Sequence, residues 1–220
     1  MTQKRAAEIL RILQGSFSTP RIASSARDPF KALIRTVLSQ NTADRNSRRA
    51  FENLSKKFEL TPETLAKADV KEIEEAITVA GLYRNKSKVI KNLSRIVLEK
   101  FSGSLDFIYS LPFEKARETL MAMPGVGPKT ADVVLLFCAE KPTLPVDTHV
   151  NRVSKRFGLA PQNADYEGVR QALQTLYPPK DYLPVHLLLI SLGRKICKAG
   201  KPLCKICPVN MLCPSRRLYD

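Results

Sequence analysis

No stretch of this chain is apolar for long. The longest apolar runs, 133–139 and 187–190, fall far short of the ~20 residues that a membrane-spanning helix requires, which excludes a helical membrane protein. Nor does any long stretch alternate apolar with polar residues, which excludes a fold built on half-buried strands. The first residues lack the apolar centre of a secretory signal and read instead as an amphipathic helix over 1–16, with Ile9, Leu10, Ile12 and Leu13 on one side. Internal repeats and low-complexity tracts are also missing. Acidic residues are scarce beside basic ones: 21 Asp and Glu stand against 36 Lys and Arg, a formal charge of +15 with a pI near 9.8. Such a field favours polyanions, and a nucleic acid is the first partner to consider, ahead of an anionic lipid face or mere solubility. The expectation is an intracellular, cytoplasmic protein with no membrane partner.

What is present is helical. Of the 220 residues, 44% are hydrophobic, enough to bury one large core or two modest ones. Apolar residues recur with helical spacing over 30–38, 44–58, 70–79, 87–101, 113–121, 129–138, 149–157, 166–176 and 184–196. Asp28 or Pro29 opens one helix, and Thr61-Pro62-Glu63 opens a short one. Gly81, Gly103, Gly158 and Gly200 are positioned to close others. The chain is therefore predicted to be all-α, with about ten helices. The two prolines within 140–145 mark a crossing between two helical lobes, the C-terminal one carrying most of the cysteines.

Four of the five cysteines, Cys197, Cys204, Cys207 and Cys213, follow a C-x6-C-x2-C-x5-C pattern in one short basic segment. Thiolates so close along a loop converge on a metal centre at little loop-closure cost, and soft sulfur selects zinc or an iron–sulfur cluster. Structural zinc favours two short knuckles, whereas only the middle pair here has that spacing; a four-cysteine cubane suits the uneven pattern better. Disulfides would suit a small secreted domain instead. Arg194, Lys195, Lys198, Lys201 and Lys205 flank or lie within the loop, where a metal-fixed backbone would present them to phosphates. Cys138, in an apolar run, is expected to be a buried core thiol.

Residues 120–131 read as the end of one helix, a glycine turn and the start of another. Gly125 and Gly127 leave out side chains where the helices meet, so backbone N–H groups at the second helix's start, around Val126, Lys129 and Thr130, can approach a phosphate. That is a helix–hairpin–helix, although an ordinary interhelical turn has the same look. Asp147 follows, within Val146-Asp147-Thr148-His149, where it could simply cap a helix. A carboxylate and an amine near a phosphate-gripping turn also suit reaction at the C1′ carbon of a nucleotide.

With these residues in view, the sequence resembles the endonuclease III branch of the helix–hairpin–helix base-excision glycosylases. The likeness runs from Pro29-Phe30 through Leu38-Ser39-Gln40-Asn41-Thr42-Ala43-Asp44, Gly81-Leu82-Tyr83, the hairpin and Val146-Asp147-Thr148-His149 to the cysteine loop. It implies a six-helix lobe over 29–141 containing the hairpin at about 113–139, an iron–sulfur lobe of 1–28 plus 142–220, and a DNA groove between them. It also implies a [4Fe–4S] cluster on Cys197, Cys204, Cys207 and Cys213, and a monomer acting on double-stranded DNA with damaged bases or abasic sites, associated with the nucleoid.

In that family the lysine at the position of Lys129 attacks C1′ of a flipped nucleotide and the aspartate at the position of Asp147 assists. Loss of an oxidised pyrimidine leaves an imine, and β-elimination breaks the strand on the 3′ side. A Gln from the loop matching Gln40-Asn41 and a Leu matching Leu82 fill the space of the flipped base, with a tyrosine-containing loop, here at Tyr83, bordering the pocket. Bacterial relatives place that Gln where Asn41 stands, with Gln40 one position earlier, so both are candidates. Met121 stands where they often carry a pocket-lining Glu. Of the two histidines, His149 is expected to support the active-site helix and His186 to be a satisfied, partly buried ring. Monofunctional relatives place Tyr, Ser or another residue at the position of Lys129, and a non-catalytic iron–sulfur DNA-binding protein would need neither Lys129 nor Asp147.

Overall fold

A computed structural model describes residues 2–18 and 28–218, and among them the regular structure is helical throughout. The chain divides into two compact units, one formed by Ile22–Lys141 and the other by Met1–Arg21 with Pro142–Asp220. The expected lobe border between 28 and 29 adjoins residues 19–27, which lie outside the described residues.

The Ile22–Lys141 unit contains α2 (Pro29–Ser39), α3 (Asp44–Lys57), α4 (Pro62–Lys67), α5 (Val70–Ala76), α6 (Tyr83–Phe101), α7 (Phe107–Ser110), α8 (Phe113–Met121) and α9 (Pro128–Ala139). Helix α2 starts where Pro29 presets the first turn and the Asp28 carboxylate accepts from Lys31 N at 3.0 Å. Its Leu33, Ile34, Val37 and Leu38 pack in one core with Ile90, Leu93 and Val97 of α6 and with Ala131, Val134 and Leu135 of α9. Each of the Leu, Ile and Val side chains contributes about 1.5–3 kcal/mol by leaving water. Between α8 and α9, Arg117 Nε donates to Asp132 Oδ1 at 2.8 Å and Nη2 to Oδ2 at 3.3 Å. Asp132 is fully buried, so its charge relies on such hydrogen-bonded pairing to remain in the core.

The other unit contains α1 (Gln3–Ser16), α10 (Thr148–Phe157), α11 (Tyr166–Leu176) and α12 (Tyr182–Lys195), followed by short 3-10 turns over the cysteine loop. Ala6, Ile9, Leu10 and Leu13 are the buried stripe of α1, which packs on α11 and α12. Helices α10 and α12 approach closely at Gly193, where an added Cβ would stand 2.9 Å from the His149 Cβ. His186, 4% exposed, donates from Nδ1 to the Pro145 carbonyl at 2.8 Å, since a carbonyl can only accept.

Four expectations change in detail. Gly81 closes no helix, because α5 ends at Ala76, where the Ile77 N–H bonds to the Ile73 and Glu74 carbonyls. Helix α12 ends at Lys195, where the Ile196 and Cys197 N–H groups both bond to the Leu192 carbonyl, so Gly200 lies in the following loop and closes no helix. Cys138 is only half-buried at the core's edge, although burial and then the Asp28 charge push its thiol up to about 12. The single turn α7 has no counterpart in the expected helices, because four residues are too few for a period to register.

Candidate functional site

The hairpin between α8 and α9 is set by its glycines. Gly125 has φ +74°, and a Cβ there would come within 2.5 Å of Val89 Cγ1. Val126 is buried, and its N–H bonds to the Met123 carbonyl at 3.2 Å. Helix α9 then begins at Gly127, which has no side chain to cap it, with Pro128 preset in the first turn. Lys129 follows as the second residue of α9 and is half-buried, while Thr130 is buried. Met121, the last residue of α8, is exposed.

Two loops of the same unit meet beside this turn. Gln40 is the residue after α2, and its side-chain Nε2 donates to the Gly125 carbonyl at 3.0 Å and to Thr130 Oγ1 at 3.4 Å. Gln40 is thus bound to the hairpin. Asn41, next along, is exposed and left-handed at φ 48°; Leu82, at the start of α6, is left-handed at φ 58° and 61% exposed. Left-handed backbone disfavours a branched apolar residue, so a specific set of contacts must hold Leu82 there. Tyr83 is partly buried against the core, with the Arg84 guanidinium 5.7 Å from its ring centre.

The holding contacts come from Lys86 and Thr42. Lys86, 4% exposed, donates from Nζ to Leu38 O at 2.9 Å, Gln40 O at 2.5 Å and Thr42 Oγ1 at 2.5 Å. Thr42 Oγ1 also accepts from Gly81 N at 3.0 Å and donates to Gln40 O at 3.1 Å. Burial lowers the Lys86 amine from 10.5 to about 8, so it remains an ammonium at neutral pH. Neither residue was singled out from sequence. The available signal was position: Lys86 falls on the stripe of α6 that buries Ile90, Leu93 and Val97.

Asp147 lies in the other unit as the N-cap of α10, where its Oδ1 accepts from Val150 N at 2.8 Å. The carboxylate is half-buried, with its backbone extended behind the buried Pro145 and Val146. Two turns of α10 then reach the cysteine loop. Arg152 donates from Nε to Cys197 O at 3.0 Å and from Nη2 to His149 Nδ1 at 3.1 Å, which makes that nitrogen the acceptor. Arg156 donates to Lys198 O at 2.6 Å and Ala199 O at 2.8 Å, and its Nη1 lies 3.4 Å from Cys197 Sγ.

Cys197, Cys204, Cys207 and Cys213 line a single pocket whose wall also includes Phe157, Ile196, Pro202 and Leu203. Among the described residues, no three His, Cys, Asp or Glu side chains form a group suited to one metal ion. Burial pushes the Cys207 thiol up to about 11, with further pushes from Cys197, Cys213 and Cys204; burial likewise raises Cys213. Soft sulfurs sharing a largely apolar pocket are a donor set suited to a multi-atom thiolate cluster. Arg194, Lys195, Lys198, Lys201 and Lys205 are all exposed around it.

Residues 34–179 match the model of the HhH-GPD superfamily of base excision DNA repair proteins. The chain is 36% identical over 207 residues to the endonuclease III of Sulfolobus acidocaldarius, covering 94% of this chain and 91% of that one. It is 39% identical over 186 residues to the endonuclease III of Thermotoga maritima, covering 84% and 83%. A solved trapped endonuclease III–DNA covalent intermediate, an estranged-adenine complex, superimposes with a TM-score of 0.86 at 32% identity, covering 99% of this chain and 98% of that one.

The chain belongs to the endonuclease III family. It is therefore an enzyme of base excision DNA repair and a DNA glycosylase, with the all-α architecture expected from its helical spacing. Within this endonuclease III fold, the hairpin, Gln40, Asn41, Leu82, Tyr83, Met121 and Lys129 belong to one unit, and Asp147, His149 and the four cysteines to the other. No helix among the described residues is long and apolar enough to cross a membrane.

Proposed function

We propose that this glycosylase is bifunctional, removing oxidised pyrimidines from duplex DNA and then cutting the strand at the resulting abasic site. The observation that carries the reading is Lys129 in the first turn of α9, directly after a glycine hairpin with no capping side chain. A helix start of that kind accepts a phosphate, which would bring a nucleotide sugar to the lysine. The net charge of +15 supports DNA as the partner, as do the DNA complexes of structurally similar endonuclease III.

The damaged nucleotide leaves the stack before it reacts. The Lys129 amine attacks C1′ as the glycosidic bond breaks and the base departs with the bonding electron pair, taking up a proton. The Asp147 carboxylate, oriented by its bond to Val150 N, stabilises the positive charge that develops on the sugar and assists deprotonation of the amine. Ring opening gives an imine on Lys129; loss of a C2′ proton then expels the 3′ phosphate by β-elimination. Asn41 and Leu82 fill the vacated space in the duplex. Asn41 is favoured over Gln40 for this part because Gln40 is already bonded to Gly125 and Thr130.

Cys197, Cys204, Cys207 and Cys213 would hold a [4Fe–4S] cluster, which when bound fixes the loop's shape rather than taking part in base removal. Arg194, Lys195, Lys198, Lys201 and Lys205 then meet the phosphate backbone. The enzyme works as a monomer where the DNA is, at the nucleoid. Met121, where a Glu is common in bacterial relatives, shifts the preferred lesion.

Borohydride reduction tests the lyase assignment. Wild-type protein should form a covalent adduct with a duplex carrying an oxidised pyrimidine, and Lys129→Gln should form none. Base release without an adduct would instead make the protein a monofunctional glycosylase. A panel of single-lesion duplexes, assayed for nicking, ranks the substrates. Broad visible absorbance is expected of the purified protein; a colourless, zinc-containing preparation would contradict the cluster.

A further inference from the structure

We infer that Lys86 is a positioning residue for lesion recognition: its buried ammonium holds the Gln40–Thr42 and Gly81–Leu82 loops in the one arrangement that presents Asn41 and Leu82 to the duplex. The inference rests on reading Asn41 and Leu82 as the side chains that enter the DNA.

An ammonium has three N–H groups, and Lys86 directs them to Leu38 O, Gln40 O and Thr42 Oγ1. Two of these acceptors are carbonyls at the C-terminal end of α2, where the helix dipole concentrates negative charge, so the cation is stabilised by dipoles. Thr42 Oγ1 carries the connection onward. It accepts from Lys86 and from Gly81 N and donates to Gln40 O, which uses both lone pairs and the one proton of a hydroxyl. Lys86 itself lies one helical turn beyond Leu82, and its backbone N–H bonds to Leu82 O at 3.0 Å.

The loops need such a hold. Asn41 and Leu82 both have positive φ, and Leu82 exposes 61% of its surface. An apolar side chain held in strained backbone and facing solvent gains nothing from the free protein's own packing. The close approach of the loops is tight as well, since a Cβ at Gly81 would stand 2.5 Å from Asn41 O. Without the ammonium, Leu38 O and Gln40 O lose a charge-assisted donor, and the spacing of the two loop tips is left to the weaker, neutral bonds of Thr42 Oγ1 to Gly81 N and Gln40 O. The expected defect is therefore in telling damaged from undamaged DNA.

The test uses a duplex with a tetrahydrofuran abasic analogue opposite 2-aminopurine, whose fluorescence rises when the opposing base is unstacked. Lys86→Met should lose that rise, and its ratio of affinities for analogue and undamaged duplex should fall about tenfold or more, the worth of a charge-assisted hydrogen bond. Leu82→Ala, with Lys86 intact, should also lose the rise. A folded Lys86→Met protein that keeps the full rise and ratio overturns the inference. If Leu82→Ala keeps the rise too, the reading of these loops as duplex-entering has failed with it; if Leu82→Ala loses it, only the role of Lys86 has failed. Should Lys86→Met not fold, the half-exposed Thr42 decides: Thr42→Val must lose the rise and Thr42→Ser must restore it, and a full rise in Thr42→Val overturns the inference.

Discussion

Helix α9 starts at Gly127, which has no side chain to cap it, whereas α10 starts at Asp147 with a carboxylate oxygen 2.8 Å from the Val150 N–H. One helix start is open to an outside anion, and the other is closed by the chain's own. Helices α3 and α6, which follow Asn41 and Leu82, also begin without a side-chain cap, whereas Thr2, Asp28, Thr61, Asp69 and Asp165 cap α1, α2, α4, α5 and α11. Helices α7, α8 and α12 lack such caps too, so the missing cap gains meaning only where it coincides with an exposed loop. Asp147 therefore has an observed part, holding α10, that must be separated from the catalytic part proposed for it, while Lys129 has no capping role to obscure the chemistry proposed for it.

The comparison can be broken at its open end first. Lys129→Gln should abolish strand cleavage at an abasic site, measured by gel, while the protein still binds the duplex. Gly127→Asp would give α9 a cap of its own and place a carboxylate where a phosphate is expected. Affinity for duplex DNA should fall roughly tenfold, with a shallower dependence on salt. Unchanged affinity would show that no phosphate uses this helix start.

At the closed end, two substitutions divide the roles. Asp147→Asn keeps a side-chain acceptor for Val150 N, so base release should slow sharply in single-turnover assays while the melting temperature stays near wild type. Asp147→Ala removes the cap too and should cost about 1 kcal/mol, or roughly 2–4 °C of melting temperature for a chain of this length. Equal melting temperatures would deny the cap its structural weight.

The smallest effect concerns Lys86. Its folded-state pKa lies near 8 against 10.5 in the free side chain, so between these values the unfolded chain binds the additional proton. Stability against urea should therefore rise with pH across that window, and the rise should be smaller in Lys86→Met. Parallel slopes would show that Lys86 is not desolvated.

Much of this was legible in the sequence because helices write their burial as a period. The apolar spacing located the principal helices of both units, and Asp28-Pro29 and Thr61-Pro62 marked two starts that the structure places there. Asp147 was readable as a possible cap, and its bond to Val150 N is one. The misses share a physical origin in contacts distant along the chain. Gln40 bonds to Gly125, and Lys86 to Leu38 and Gln40, across separations that no local pattern encodes. Gly200 was misplaced because a glycine's value at a helix end depends on where the last carbonyl finds its partner, here the N–H groups of Ile196 and Cys197.

Whether Lys129 is the nucleophile is decided by locating the sugar. After borohydride trapping on an abasic duplex and digestion of protein and DNA, mass spectrometry should find the reduced sugar remnant on the peptide that contains Lys129, joined to its side-chain nitrogen. A remnant on any other residue, or no adduct at all, would contradict the account.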